Sequence, residues 1–324
     1  MLINEWAMVL NLISIALMGM LAATALLALM WPFTARYIPQ LSPSSQQRVL
    51  WLFVATPWAT STICVFVFLL SLDSSDNSLW LGRLTHWHHP YVFHLDSWHS
   101  AILVTFILGL AYVLTRKGLY TFRHLNTLNS ITRLSQRETS HWGTGPDIIV
   151  LDSQTPSAFA AGLMRPKCYV TTGLIERVTE TELDIIIEHE RTHIKHRDIQ
   201  KKLLFSLFAS LYPKPVARRL NRMFSVTVEQ LADAHVGKSH CAFAIAETLV
   251  KAARAQKVSA GANPLMVNYV TADDVDVRVR ALIAPQAFRS LSWAYCLLLM
   301  VLITFLSSAA VDAVHHLIEA VFSH

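Results

Sequence analysis

Long apolar runs, interrupted by short polar stretches, set the first division of the chain. Four runs, at about residues 6–31, 49–72, 100–115 and 291–310, contain no Asp, Glu, Lys or Arg. A helix needs about 20 such residues to cross a hydrocarbon core of about 30 Å, so each run is expected as a transmembrane helix, the third being the shortest. Residues 1–115 then carry three spans, joined by a loop at 32–48 and another at 73–99. A domain at 116–289 follows, about the length of one globular unit. Residues 290–324 supply the fourth span and a short tail.

Charge in the loops orients these spans. The 32–48 loop has Arg36 and Arg48 and no acid, whereas the 73–99 loop has Asp73, Asp76 and Asp96 against Arg83. Arg116, Lys117 and Arg123 follow the third run; Arg278, Arg280 and Arg289 precede the fourth, and Asp312 and Glu319 follow it. Positive residues stay on the cytoplasmic side, which puts both termini and the 73–99 loop outside a bacterial inner membrane and the 116–289 domain inside. The first run lacks a basic segment ahead of it, so it is expected as a retained anchor rather than a signal peptide.

Within 116–289 the periodicity shortens. Residues 119–137 have helical spacing leading away from the membrane, and 147–151, 158–160 and 167–171 read as strands of a small sheet. Thr179 and Glu182 have capping-box character ahead of a helix bearing Leu183, Ile186, Ile187 and Ile194. The apolar run 203–211 is too short to span and is expected as core or as a patch resting on the bilayer. Pro213-Lys214-Pro215 marks a turn, and helices are expected from about 216, over 243–255, and over 275–282.

Composition agrees with a membrane protein: of 324 residues, 53% are hydrophobic and 15% charged. The formal charge of +5 comes from basic residues placed as membrane loops place them, so no direct nucleic acid binding is expected. The four cysteines are scattered, which argues against a disulfide framework or a Cys-based zinc site.

The candidate chemistry lies on the helix after Thr179. His189, Glu190 and His193 form H-E-x-x-H. Histidines four apart project from one face and can share a Zn²⁺, while Glu190, about 100° around the helix, is placed to act as general base on its water. On an unbroken helix His196 lies about 10.5 Å along the axis from His189, too far for a bond of about 2.1 Å, and no Gly breaks the helix there. The third ligand must come from elsewhere. Glu229 and Asp233, also four apart, suit a ligand and an acceptor for the outer N–H of a ligating His.

H-E-x-x-H-x-x-x-R-D, the later E-x-x-A-D and the segment 156–174 together resemble the gluzincin membrane peptidases, most closely the BlaR/MecR-type antirepressor metallopeptidases, over about residues 147–283. The resemblance implies an α-helical integral membrane protein with an α+β gluzincin-like domain and one Zn²⁺ per chain on His189, His193 and Glu229, with Glu190 as catalytic base. It also implies cleavage of a cytoplasmic regulator, such as a winged-helix repressor, and self-cleavage. The penicillin-binding sensor domain of the best-known members has no counterpart in the sequence, which puts β-lactam sensing in doubt. A membrane quality-control or CAAX-type peptidase and a non-catalytic zinc-domain transducer are the alternatives.

Three further expectations are open. Ala158, Phe159 and Ala160 are either an edge strand to which substrate adds or buried core. His235, Tyr269 and Arg278 are candidates to stabilise an oxyanion. His86, His88, His89 and His94 in the 73–99 loop are a candidate sensor of external metal or acidity, with an interfacial aromatic belt as the alternative.

Overall fold

The computed structural model describes residues 2–3, 5–73, 92–93, 98–135, 148–259, 272–284 and 289–322. The sensor candidates His86, His88, His89 and His94, and Tyr269, lie outside them. In chain order the elements are β1 (Leu2–Ile3), α1 (Glu5–Tyr37), α2 (Pro43–Asp73), β2 (Val92–Phe93), α3 (Trp98–Ser135), β3 (Ile148–Leu151), β4 (Ala158–Ala161) and β5 (Lys167–Thr171). There follow α4 (Thr172–Ile175), α5 (Glu180–Lys195), α6 (Asp198–Ala209), α7 (Lys214–Val236), α8 (Ala242–Ser259), α9 (Ala272–Ile283) and α10 (Trp293–Phe322). The third apolar run and the helix expected after it are one continuous element, α3, because nothing between 115 and 119 breaks the helical pattern.

Two units are interleaved in sequence: Met1–Arg116 with Leu207–Leu220 and Arg289–His324, and Lys117–Ser206 with Asn221–Phe288. The 116–289 stretch expected as one domain is therefore divided, and 207–220 leaves it.

In the first unit, two helices are long and apolar enough to cross a membrane: Glu5–Gln40, mean hydropathy 2.4, and Pro43–Leu70, mean hydropathy 1.9. Ala294–Ala309 is a shorter apolar helix. Small and hydroxyl side chains bring the helices together, as they do inside bilayers, where apolar burial drives little association. A Cβ on Gly19 of α1 would lie 2.9 Å from Cys64 Sγ of α2. Thr60 and Cys64 of α2 meet Thr304 and Ser308 of α10 at 3.2 and 3.3 Å. Leu29, Leu108, Leu298 and Val301 face outward, each more than half exposed. An apolar surface of that kind suits contact with lipid or with another protein.

The inserted 207–220 segment packs on α2. Phe208 lies 5.3 Å, centroid to centroid, from Trp58 and 6.4 Å from Trp51. Pro57 sits inside α2 and has no N–H, which leaves the Phe53 carbonyl without its helical donor. The Tyr212 hydroxyl donates to that carbonyl at 2.6 Å, and its ring lies 5.4 Å from Phe53. The apolar run 203–211 is thus shared out: Phe205 stacks on Phe224 at 4.1 Å in the second unit, and Phe208 belongs to the first.

In the second unit, a sheet of order β3-β5-β4 pairs β5 parallel to β3 and antiparallel to β4. Cys168, Val170, Ile148 and Ala158 pack with Leu183, Ile186, Ile187 and Ile194 of α5. Ile149, Leu151, Tyr169, Ala161 and Phe159 form a cluster on the other face. Thr179 caps α5 in a complete capping box: its hydroxyl accepts from Glu182 N, and Glu182 accepts from Thr179 N. The helix expected to run on past His196 stops at Lys195. Arg197 adopts φ 55°, so the chain turns without a glycine, and α6 begins at Asp198.

Candidate metal centre

Three side chains from two helices converge. His189 and His193 are one turn apart on α5, and Glu229 stands in the middle of α7. His189 Nε2 lies 3.1 Å from His193 Nε2 and 3.2 Å from Glu229 Oε2, and His193 Nε2 lies 3.5 Å from the same oxygen. A tetrahedral ion bonded at about 2.1 Å requires ligand atoms about 3.4 Å apart, so this triangle fits one face of such a site. Among the described residues these three form the group able to hold a metal ion, and two imidazoles with one carboxylate suit zinc.

Each imidazole is held from behind by a carboxylate. Asp233 Oδ1 is 3.2 Å from His189 Nδ1, and Asp198 Oδ2 is 2.9 Å from His193 Nδ1. These contacts turn both Nε2 atoms toward Glu229. Arg278 of α9 binds Asp233 through two nitrogens, at 2.8 and 2.7 Å, and its Nη1 is 3.2 Å from Glu229 Oε2. Lys202 of α6 donates to Glu229 Oε1 at 3.0 Å.

The charges in this cluster reinforce each other. Burial pulls His189 and His193 toward neutrality, but the carboxylates around them outweigh it: Asp233 and Glu229 raise His189, and Glu229 and Asp198 raise His193 to about 10. Burial works against ionised Glu229 as well, yet Lys202 and the two histidines hold it well below the usual carboxylate range. Asp233 is lowered against its burial by Arg278 and His189.

Glu190 points to the sheet. Its Oε2 accepts the N–H of Ala160 at 2.7 Å. Ala160 is on β4, an edge strand, so its N–H is turned away from β5. The side chains of Ala158 and Phe159 are half-buried against the two clusters, and the backbone N–H of Ala160 is taken by Glu190. His196 is outside the triangle; its ring meets that of His235 at 5.8 Å. Arg278, an oxyanion candidate, is engaged with Asp233 and Glu229. Sequence reasoning assigned no part to Asp198 or Lys202. Asp198 follows His193 by five residues, and only the left-handed turn at Arg197 brings it back.

With this geometry in place, comparison with known proteins identifies the group. A profile of the BlaR1 peptidase M56 family matches residues 86–282, more than half of the chain. The chain belongs to the BlaR1 peptidase M56 family. It is a membrane-associated metallopeptidase family, and similarity extends to proteins of a second name. A Protease HtpX homolog of Moorella thermoacetica is 40% identical over 68 residues, 20% of this chain and 23% of the relative. One from Thermodesulfovibrio yellowstonii is 40% identical over 74 residues, 22% and 25% of the two chains. One from Acidiphilium cryptum is 44% identical over 55 residues, 16% and 19%. This M56 chain spans a quarter or less of the length of those curated relatives.

Proposed function

We propose that this protein is an integral-membrane zinc endopeptidase with four crossings, which cleaves a cytoplasmic regulatory protein, such as a winged-helix repressor, and itself. The observation that carries the catalytic reading is the triangle of His189, His193 and Glu229 with Glu190 one residue along the same helix. When bound there, zinc supplies a Lewis acid for the scissile carbonyl and lowers the pKa of a water molecule. Glu190 is the base: the Ala160 N–H fixes one carboxylate oxygen and leaves the other to take a proton and pass it to the leaving amine. Beside the Ala160 N–H that Glu190 takes, the outward edge of β4 offers the remaining main-chain groups of Ala158 and Ala160 to an extended peptide, which would be recognised by its backbone rather than its side chains.

The regulatory substrate and the orientation are supported by the family and by the loop charges. A second reading, membrane quality control, is favoured by the similarity to HtpX proteases. Purified full-length protein is expected to hold about one zinc per chain. His193→Ala should lose it, while Glu190→Gln should keep it and lose peptide cleavage by about 10²–10⁴-fold. Full zinc occupancy in a His189→Ala, His193→Ala double variant would overturn the ligand assignment. In cells, Glu190-dependent loss of a co-expressed repressor supports the first reading; loss confined to misfolded membrane proteins supports the second.

A further inference from the structure

Helix α6 carries two residues that face the candidate centre, four apart and so on one side of the helix. Asp198 holds His193, and Lys202 holds Glu229. One short helix thereby braces ligands that come from two others, α5 and α7. The two oxygens of Glu229 are divided by this arrangement. Oε2 faces both imidazole Nε2 atoms at 3.2 and 3.5 Å, while Oε1 is taken by the Lys202 ammonium at 3.0 Å.

We propose that Lys202 is a positioning residue that confines Glu229 to one-oxygen coordination and so keeps the metal's fourth position open for the reaction. The inference rests on the zinc reading above. A carboxylate can give a metal one oxygen or two, and a catalytic zinc site needs three protein ligands and a vacant position. If Glu229 gave both oxygens it would crowd that position. The ammonium opposes this in two ways: it takes up a lone pair of Oε1, and its attraction turns that oxygen away from the histidines. Arg278 cannot substitute, because its Nη1 contacts Oε2, the oxygen on the histidine side.

The test uses full-length protein in detergent with Co²⁺ in place of zinc, because the visible spectrum of cobalt reports coordination number. Wild type should take up one Co²⁺ per chain with the strong absorption of a four-coordinate ion. Lys202→Met, which keeps length and removes charge, should still bind one Co²⁺ per chain. Its absorption per metal should drop about two- to threefold as the second oxygen joins. Lys202→Arg should restore the four-coordinate spectrum, which a general packing role would not predict. A Lys202→Met spectrum identical to wild type would overturn the proposal. If the Met variant does not fold, Lys202→Ala gives the same readout. Failure of wild type to bind any stoichiometric metal would instead overturn the zinc reading.

Discussion

His193 shows how one residue's surroundings set the behaviour of the centre. Its pKa is raised from an ordinary value of 6.5 to about 10 by Glu229 and Asp198, against its burial. In metal-free protein this proton stabilises the fold. Its contribution is complete below about 6.5, the value in the unfolded chain, and is lost as pH rises through about 10. The lowered Glu229 and Asp233 work in the opposite direction, contributing above their ordinary carboxylate values and losing that contribution in acid. Protein treated with chelator should therefore show its highest melting temperature near pH 5–6 and a steady decline toward pH 10. Metal competes for the same nitrogens, so zinc uptake should release protons and tighten with rising pH. A melting temperature of the chelated protein that is flat from pH 6 to 10 would contradict this. At this scale the sequence displayed His189, Glu190 and His193 because H-E-x-x-H is local, and Glu229 with Asp233 because they repeat its four-residue spacing. It was silent on Lys202, whose partner is 27 residues away.

Among the elements, α5 depends on its first turn and β4 on its support. Thr179→Ala removes the hydroxyl half of the capping box and should cost about 1 kcal/mol in thermal unfolding, with zinc content unchanged. Gly173 is less forgiving. A Cβ there would lie 2.2 Å from the Gln154 carbonyl oxygen, in the loop that leads to β4 and that Gly173 N anchors through Ser153 O at 2.9 Å. Gly173→Ala should exceed the usual overpacking cost of about 1–3 kcal/mol because backbone must move. It should also lower peptide cleavage, since β4 carries the Ala160 N–H that holds Glu190. Near-native stability of that variant would refute the close approach. The strands and α5 were legible from apolar periodicity and capping residues. The stop at Lys195 was not, because Arg197 adopts a conformation for which glycine is the usual sequence signal.

For the whole molecule, the proposed topology follows from loop charge. A reporter placed after Gly118 should behave as cytoplasmic, and reporters at Asn77 or the carboxyl terminus as extracytoplasmic. A cytoplasmic signal at Asn77 would move the metal centre outside. Sequence also suggested a contiguous domain, and the departure of 207–220 was hidden because Tyr212 is matched to the carbonyl of Phe53, 159 residues earlier, which Pro57 frees.

The pairing of α2 with α10 bears on synthesis. Thr60 and Thr304 are 244 residues apart. At about 5–20 residues per second, the ribosome needs about 12–50 s to supply the second after the first. During that interval α1 and α2 exist without α10, and by its last part every residue of the metal centre, Arg278 included, has been added. A chain stopped at residue 288 contains the whole centre and none of α10, and the protease sensitivity of its α1 and α2 measures what the last helix contributes.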